Sequence, residues 1–418
     1  MVIKYVSNSI LNEKVSKVME DVIEEVVNQF NPKSIIIMGS LGRGEGLVSE
    51  DPDGNILFHS DCEMVIYPHY NIFKRKEIRE FRDHIHKKYG IKLDLGGFKF
   101  TMLYSSKMSK SMKLAPTIEN YDLKYGSFVV YGENVLDEIE QICCEDIPLW
   151  EGLRLVFNRM AELLELFSLD IRESYLSREC QQEICYRINK LILAGQDLLL
   201  IRSKRYHPSY IHRNIIFQNV FPKEYEELCA KIPGFTVLTI SSTSARLDNA
   251  HVSDMNPFTL WDEALVYIDE ILRYILSQEF GISYNTYFEF REHFLSNPHA
   301  TNECYRGLSS CPMYQNTKCI LINALLFKNF FLVKGSIRAK PWFQLVYSAI
   351  PVLYFSTYRG NTQRNSIQNF GDDRNFISLL DGLPLSDDVV MSDRKEDWND
   401  VRRKIIMLWK SICYSCGE

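Results

Sequence analysis

Ser34-Ile35-Ile36-Ile37-Met38-Gly39-Ser40 is a short, β-branched apolar run that ends in a glycine–serine turn. Ser60-Asp61 leads into a second run, Cys62-Glu63-Met64-Val65-Ile66-Tyr67, where Glu63 interrupts otherwise apolar residues. Continuous apolar runs of this length suit buried strands. Between them lie the glycine-rich residues 39–46 and a polar stretch with the turn Asp51-Pro52-Asp53-Gly54. Upstream, Val15, Val18, Met19, Val22 and Val26 form one stripe of an amphipathic helix over 11–30, which Asn31-Pro32 stops. Downstream, Ile72, Ile78, Phe81 and Ile85 keep helical spacing over 71–89, and Gly90 ends that helix. Ile91-Lys92-Leu93-Asp94-Leu95 then reads as a third strand that continues past Gly96-Gly97 through 98–104. This alternation predicts a small sheet domain over residues 1–147.

Beyond residue 148 the periodicity is almost purely helical. Wide apolar stripes cover 150–168, 180–202, 261–278, 319–332 and 342–356, with breaks at Pro208, Pro222, Pro233, Pro257, Pro298 and Pro312. The expected fold class is therefore α+β: a small mixed sheet, a helical bundle over 148–280, and a C-terminal helical region over 281–418. The polar residues 357–398 read as a long loop within that last region.

At 418 residues the chain is too long for one ordinary core. A net charge of −6 supplies no general field for gripping nucleic acid, so a nucleic-acid partner is not expected. Residues 1–10 lack the apolar core of a secretion signal. The most apolar late stretch is interrupted by Asn323, Lys328 and Asn329, which argues for a buried helix and against a membrane span. Eleven cysteines without an export signal read as reduced thiols in a cytoplasmic protein, and oligomerisation is left open. The lone pair Cys413 and Cys416 and the pair His207 and His212 both miss metal-site spacing.

Residues at i and i+2 on a strand share a face, so Asp61 and Glu63 point the same way, and Asp94 can join them from the next strand. Three hard-oxygen groups on one face suit Mg²⁺, with Mn²⁺ as an alternative. The Gly39-Ser40 turn offers backbone N–H groups to an anion. A Walker A loop is excluded because Glu45, not lysine, follows Gly44, and a dinucleotide fingerprint is excluded because Leu47 replaces its last glycine. Alone, an Asp-x-Glu pair is usually solvated surface. The combination of apolar strand, Gly-Ser turn, paired carboxylates and a third acidic strand position is what marks a site.

Met38-Gly39-Ser40 followed by Ser60-Asp61-Cys62-Glu63-Met64 resembles the signature of the DNA polymerase β-like nucleotidyltransferase superfamily. The resemblance covers roughly residues 10–145, including Tyr121–Gly126 and Val130–Gly132 as the closing part of the sheet. It implies that Gly39 and Ser40 bind the triphosphate of an NTP, with ATP expected. It also implies that Asp61 and Glu63 hold two metals and that Asp94 ligates the catalytic one and helps to activate an acceptor hydroxyl. The acceptor expected is a small molecule; the alternatives are a protein acceptor, a second nucleotide that gives an oligonucleotide signal, or a nucleotide-binding regulatory protein without catalysis. The chain departs from the family in the twenty residues between Ser40 and Asp61. That insert is expected to form a hairpin beside the site.

Arg43 has two readings, a β- or γ-phosphate contact or an ion pair with Glu45 or Glu50. Lys190 is the one cation in a strongly apolar helix. It too has two readings, a γ-phosphate contact, by similarity to the helical bundles of kanamycin-type enzymes, or an ion pair with a nearby acid. Arg159 and Tyr210 are weaker candidates of the same kind. Tyr284, Tyr287 and the segment from Arg359 to Arg364 are expected to be core and solvated loop, respectively.

Overall fold

The computed structural model describes residues 3–67, 75–97, 113–168, 171–173, 175–247, 256–297, 342–357, 379 and 398–415. Helix α1 (Ser9–Phe30) leads to β1 (Ser34–Met38), a one-turn α2 (Gly39–Gly42), and a hairpin of β2 (Val48–Glu50) and β3 (Ile56–Phe58). Then come β4 (Cys62–Tyr67), α3 (Arg75–Tyr89), β5 (Leu93–Gly97), α4 (Ile118–Tyr125) and β6 (Phe128–Gly132). Asn31 caps α1 in the left-handed conformation at φ 46°, a geometry that asparagine tolerates better than most residues.

The main sheet has the order β5-β4-β1-β6. β1 pairs antiparallel with β4 and β6, whereas β4 and β5 run parallel through the crossover helix α3, so the sheet is mixed. Alternation divides its faces. Ile35, Ile37, Cys62, Met64, Ile66, Leu93 and Leu95 pack with Val15, Met19 and Val22 of α1 and Phe81 and Ile85 of α3. Ile36 and Val65 face the other way, against Leu123, Val135 and Leu136. The side chains of Glu63 and Asp94, one residue out of phase with the first core, lie on this second face.

The insert does form a hairpin, with Val48 opposite Phe58 and Glu50 opposite Ile56. Asp51 organises its turn by accepting hydrogen bonds from the Asp53 and Asn55 backbone N–H groups at 2.9 and 2.8 Å. Its position differs from the expectation. Val48, Ile56 and Phe58 pack onto the α1 side of the sheet, and Lys14 of α1 pairs with Glu50 at 2.5 Å. Burial of those three apolar side chains holds the hairpin on the face opposite Glu63.

From residue 149 on, every described α-helix belongs to one assembly: α5 (Leu149–Leu166), α6 (Arg178–Arg202), α7 (Tyr210–Glu224), α8 (Glu226–Lys231), α9 (Phe235–Leu247), α10 (Pro257–Phe280), α11 (Tyr287–Ser296), α12 (Trp342–Ser356) and α13 (Trp398–Ser415). One apolar cluster runs from Trp150 to Trp409, with helices on both sides of residue 280 contributing. Pro222, read as a break, lies inside the last turns of α7, whereas Pro257 opens α10 as expected of an N-terminal proline. Tyr284 and Tyr287 are core residues, with ring centroids 5.2 Å apart. The stretch 319–332, the segment from Arg359 to Arg364, nearly all of the 357–398 loop and Cys416 lie outside the described residues. Among the described residues no helix is long and apolar enough to cross a membrane.

The sheet and the helices are joined at Glu45, a buried carboxylate just after α2. It accepts hydrogen bonds from Ser209 Oγ at 2.6 Å, Tyr210 N at 3.0 Å and Ile211 N at 3.2 Å, so it caps the N-terminus of α7 from another part of the chain. Glu45→Ala orphans those donors, and the expected loss of stability is about 2–4 kcal/mol. Denaturant unfolding reads this loss directly, with Glu45→Gln expected to fall between the two.

Candidate functional site

β1 and β4 are in register with Met38 opposite Glu63, so the chain leaving β1 turns directly over the Glu63 carboxylate. Two constraints meet at that turn. Gly39 has φ +66°, and a β-carbon there would stand 2.5 Å from Glu63 Oε1. A second glycine, Gly42, lets the turn close, since its β-carbon would meet the Ile37 carbonyl oxygen at 2.6 Å. Ser40 is buried in the same turn, and its carbonyl accepts from Glu45 N at 2.8 Å.

The parallel pairing of β4 and β5 places Asp94 beside Glu63. Asp61 precedes β4 by one residue and shares the Glu63 face through the strand period. Thus Glu63 and Asp94 lie side by side, with Asp61 at the entry to β4. Their side chains have different surroundings. Asp61 pairs with Lys92 at 3.1 Å, and Asp94 pairs with Arg82 Nη2 at 3.7 Å. Both acids are largely exposed. Glu63 is half-buried, and no described donor is hydrogen-bonded to it. Burial pushes the Glu63 carboxyl pKa up, and the charges of Asp94 and Asp61 push the same way, against Arg43 and Arg159.

These residues fit a divalent cation in donor chemistry, because all three are hard oxygen ligands and the inner one lacks a donor. In side-chain placement they stand apart: among the described residues no group of three or more His, Cys, Asp and Glu converges enough to hold a metal. Lys92 and Arg82 neutralise the two outer carboxylates where they are.

Arg43 takes the ion-pair reading. Its Nε lies 3.4 Å from Glu45, its Nη1 3.4 Å from Asp122, and its guanidinium 5.0 Å from the Tyr210 ring centroid. Glu50, the other expected partner, pairs with Lys14 instead. Asp122 is pushed up to about 6 by burial, against the pull of Arg43 and Arg213, and accepts from the Tyr206 hydroxyl at 3.2 Å. Arg213 in turn pairs with buried Asp197. Arg43 therefore braces the phosphate-loop candidate against the helices.

Lys190 of α6 pairs with Glu162 of α5 at 3.1 Å, and Glu162 also pairs with Arg159. Burial and the nearby Arg159 bring the Lys190 ammonium down to about 8, with Glu162 opposing and Arg246 reinforcing. This wall faces the carboxylates closely enough that Arg159 acts on the charge of Glu63 and Asp61 on that of Tyr186. Two members of the wall were not read from the sequence. Arg246 is the only charged residue in α9, which was the available signal, and Tyr186 is an unremarked aromatic on α6.

Comparison with protein-family models, with curated proteins and with solved structures finds no match to this chain. The geometry of the turn yields a prediction of its own. Gly39→Ala carries a left-handed-region penalty of about 1–2 kcal/mol before any displacement of Glu63. A thermal midpoint equal to that of the wild type would contradict the turn as described.

Proposed function

We propose that the chain is a metal-dependent nucleotidyltransferase that moves an NMP group from an NTP, ATP being the expected one, to an acceptor hydroxyl. The observation that carries the reading is the close approach of Gly39 to Glu63, with Asp94 in register beside it and Asp61 on the same face. Glycine is needed there on two counts, and the turn sits over a carboxylate that two other carboxylates flank.

Asp61, Glu63 and Asp94 would hold Mg²⁺ or Mn²⁺, after Asp61 and Asp94 leave Lys92 and Arg82. The cation's chemistry is charge stabilisation on the phosphates and alignment of the attacking oxygen. The chain's own residues do the rest. The Gly39-Ser40 turn presents backbone N–H groups that lack helical partners to the nucleotide phosphates. Asp94, the more exposed neighbour of Glu63, receives the proton of the acceptor hydroxyl. As the acceptor oxygen bonds to the α-phosphorus, the bond to the bridging oxygen breaks and pyrophosphate leaves. Lys190 offers its ammonium to the distal phosphate across the cleft, and Arg43 holds the turn in place.

A small-molecule acceptor is the favoured class, since the chain carries net negative charge and no basic surface for nucleic acid follows from its composition. A second reading, a nucleotide-binding module without turnover, draws support from the ion pairs that occupy Asp61 and Asp94. The two readings part in one assay. Mg²⁺-dependent pyrophosphate release from ATP, measured across an acceptor panel, is expected for the wild type and abolished in the Asp61→Ala/Glu63→Ala variant. Equal release by that double variant would sink the proposal, and tight ATP binding without release by the wild type would favour the module.

A further inference from the structure

We propose that the paired helices α7 and α9 form a dimerisation face, on which a second copy of this chain docks about a two-fold axis. The inference does not rest on the transfer reading.

The packing of the two helices defines the face. Asn214 Nδ2 of α7 donates to Thr243 Oγ1 of α9 at 2.9 Å, and further along the Phe217 and Phe235 ring centroids stand 5.7 Å apart. The helices therefore run antiparallel. At about 100° per residue, Ile211 and Ile215 follow Asn214 round α7, and Ile240 and Val237 follow Thr243 round α9, on the same side of the pair. These four are exposed by 40, 54, 40 and 69%, respectively. Single exposed apolar residues are ordinary, but four on adjoining turns make a patch that marks an interaction site.

The occupant follows from the charge. The chain is 24% charged, with a net charge of −6. Yet from Ile211 to Pro222 on α7 and from Phe235 to Ala245 on α9, every exposed residue lacks formal charge at pH 7. A charged partner would have to shed its hydration against a surface that offers no counter-charge. A second copy of this acidic chain, by contrast, meets no like charge here. The polar residues on the face, among them Gln218 and Ser241, both donate and accept, so each can meet its own copy across a two-fold axis. Size sets the strength. α7 has 15 residues. At the helical rise that is about 22 Å, and two helices side by side are about 20 Å wide. This footprint lies at the small end of specific interfaces, so the dimer is expected to be reversible, with a Kd of about 1–100 µM.

The test is sedimentation velocity of the full chain in reducing buffer, from about 1 to about 200 µM protein. The wild type is expected to pass from monomer to dimer across that range, and raising sodium chloride is expected not to weaken the dimer, because no ion pair holds the face. Ile215→Lys and Ile240→Lys are each expected to weaken association at least about tenfold. Each reduces the net negative charge, so the loss does not come from general repulsion. A wild-type thermal midpoint identifies the variants that keep their fold, and if one loses it the other carries the comparison. Leu57→Lys, 45% exposed on the hairpin at the far face of the sheet, is expected to associate as the wild type does. A wild type that stays monomeric throughout overturns the proposal and leaves the face to another partner. A dimer that the folded lysine variants retain, or that salt dissociates, overturns it as well, since the copies then meet through a different surface.

Discussion

The carboxylate of Glu45 is the point on which the arrangement depends. It sits at the end of the glycine turn, buried, and closes the N-terminus of α7 with three hydrogen bonds. A helix begins with N–H groups that need acceptors, and here the acceptor belongs to the sheet half of the molecule. The turn over Glu63 and the helical wall are therefore positioned by one side chain. Arg43 adds a second tie, reaching from the same turn to Asp122 and the Tyr210 ring. Replacing this junction by apolar packing would hold the halves together, but without fixing the turn to a named backbone atom.

That junction brings charged groups of opposite sign within electrostatic reach of one another. The sheet contributes carboxylates, two of them exposed and one half-buried, and the helices contribute Arg159, Lys190 and Arg246, of which Arg246 is the most deeply set. Such an arrangement suits a ligand that is itself divided, with a cation-bridged reacting centre toward Asp61 and Glu63 and an anionic end toward α6.

Local features were legible in the sequence because their periods are local. β1 and β4 appeared as apolar runs with the bounds the structure has, and the alternation of Asp61 and Glu63 follows from the strand repeat alone. The insert between Ser40 and Asp61 was recognisable as a hairpin from its Asp51-Pro52-Asp53-Gly54 turn. Which side it occupies was not, because Val48, Ile56 and Phe58 are decided by contact with α1. The pairing of Glu63 with Asp94 needed the strand order, which no segment encodes by itself. Arg43 illustrates the same limit: Glu45, two residues away, was a visible partner, whereas Asp122 lies 79 residues on. Arg246 and Tyr186 are 60 residues apart, and only the packing of α9 on α6 brings them together. Lys190 drew notice as a cation among apolar residues, but its partner Glu162 is on another helix.

The central claim is that Asp61, Glu63 and Asp94 act as one cation site beneath the Gly39 turn. The most direct measurement is a crystal structure of the wild type with Mn²⁺ and a non-hydrolysable ATP analogue, read by anomalous scattering. The account predicts manganese bound by Asp61 and Glu63 with Asp94 drawn in, and phosphates against the N–H groups of Gly39 and Ser40. Manganese absent from these carboxylates while nucleotide is bound, or nucleotide seated away from the turn, would contradict it.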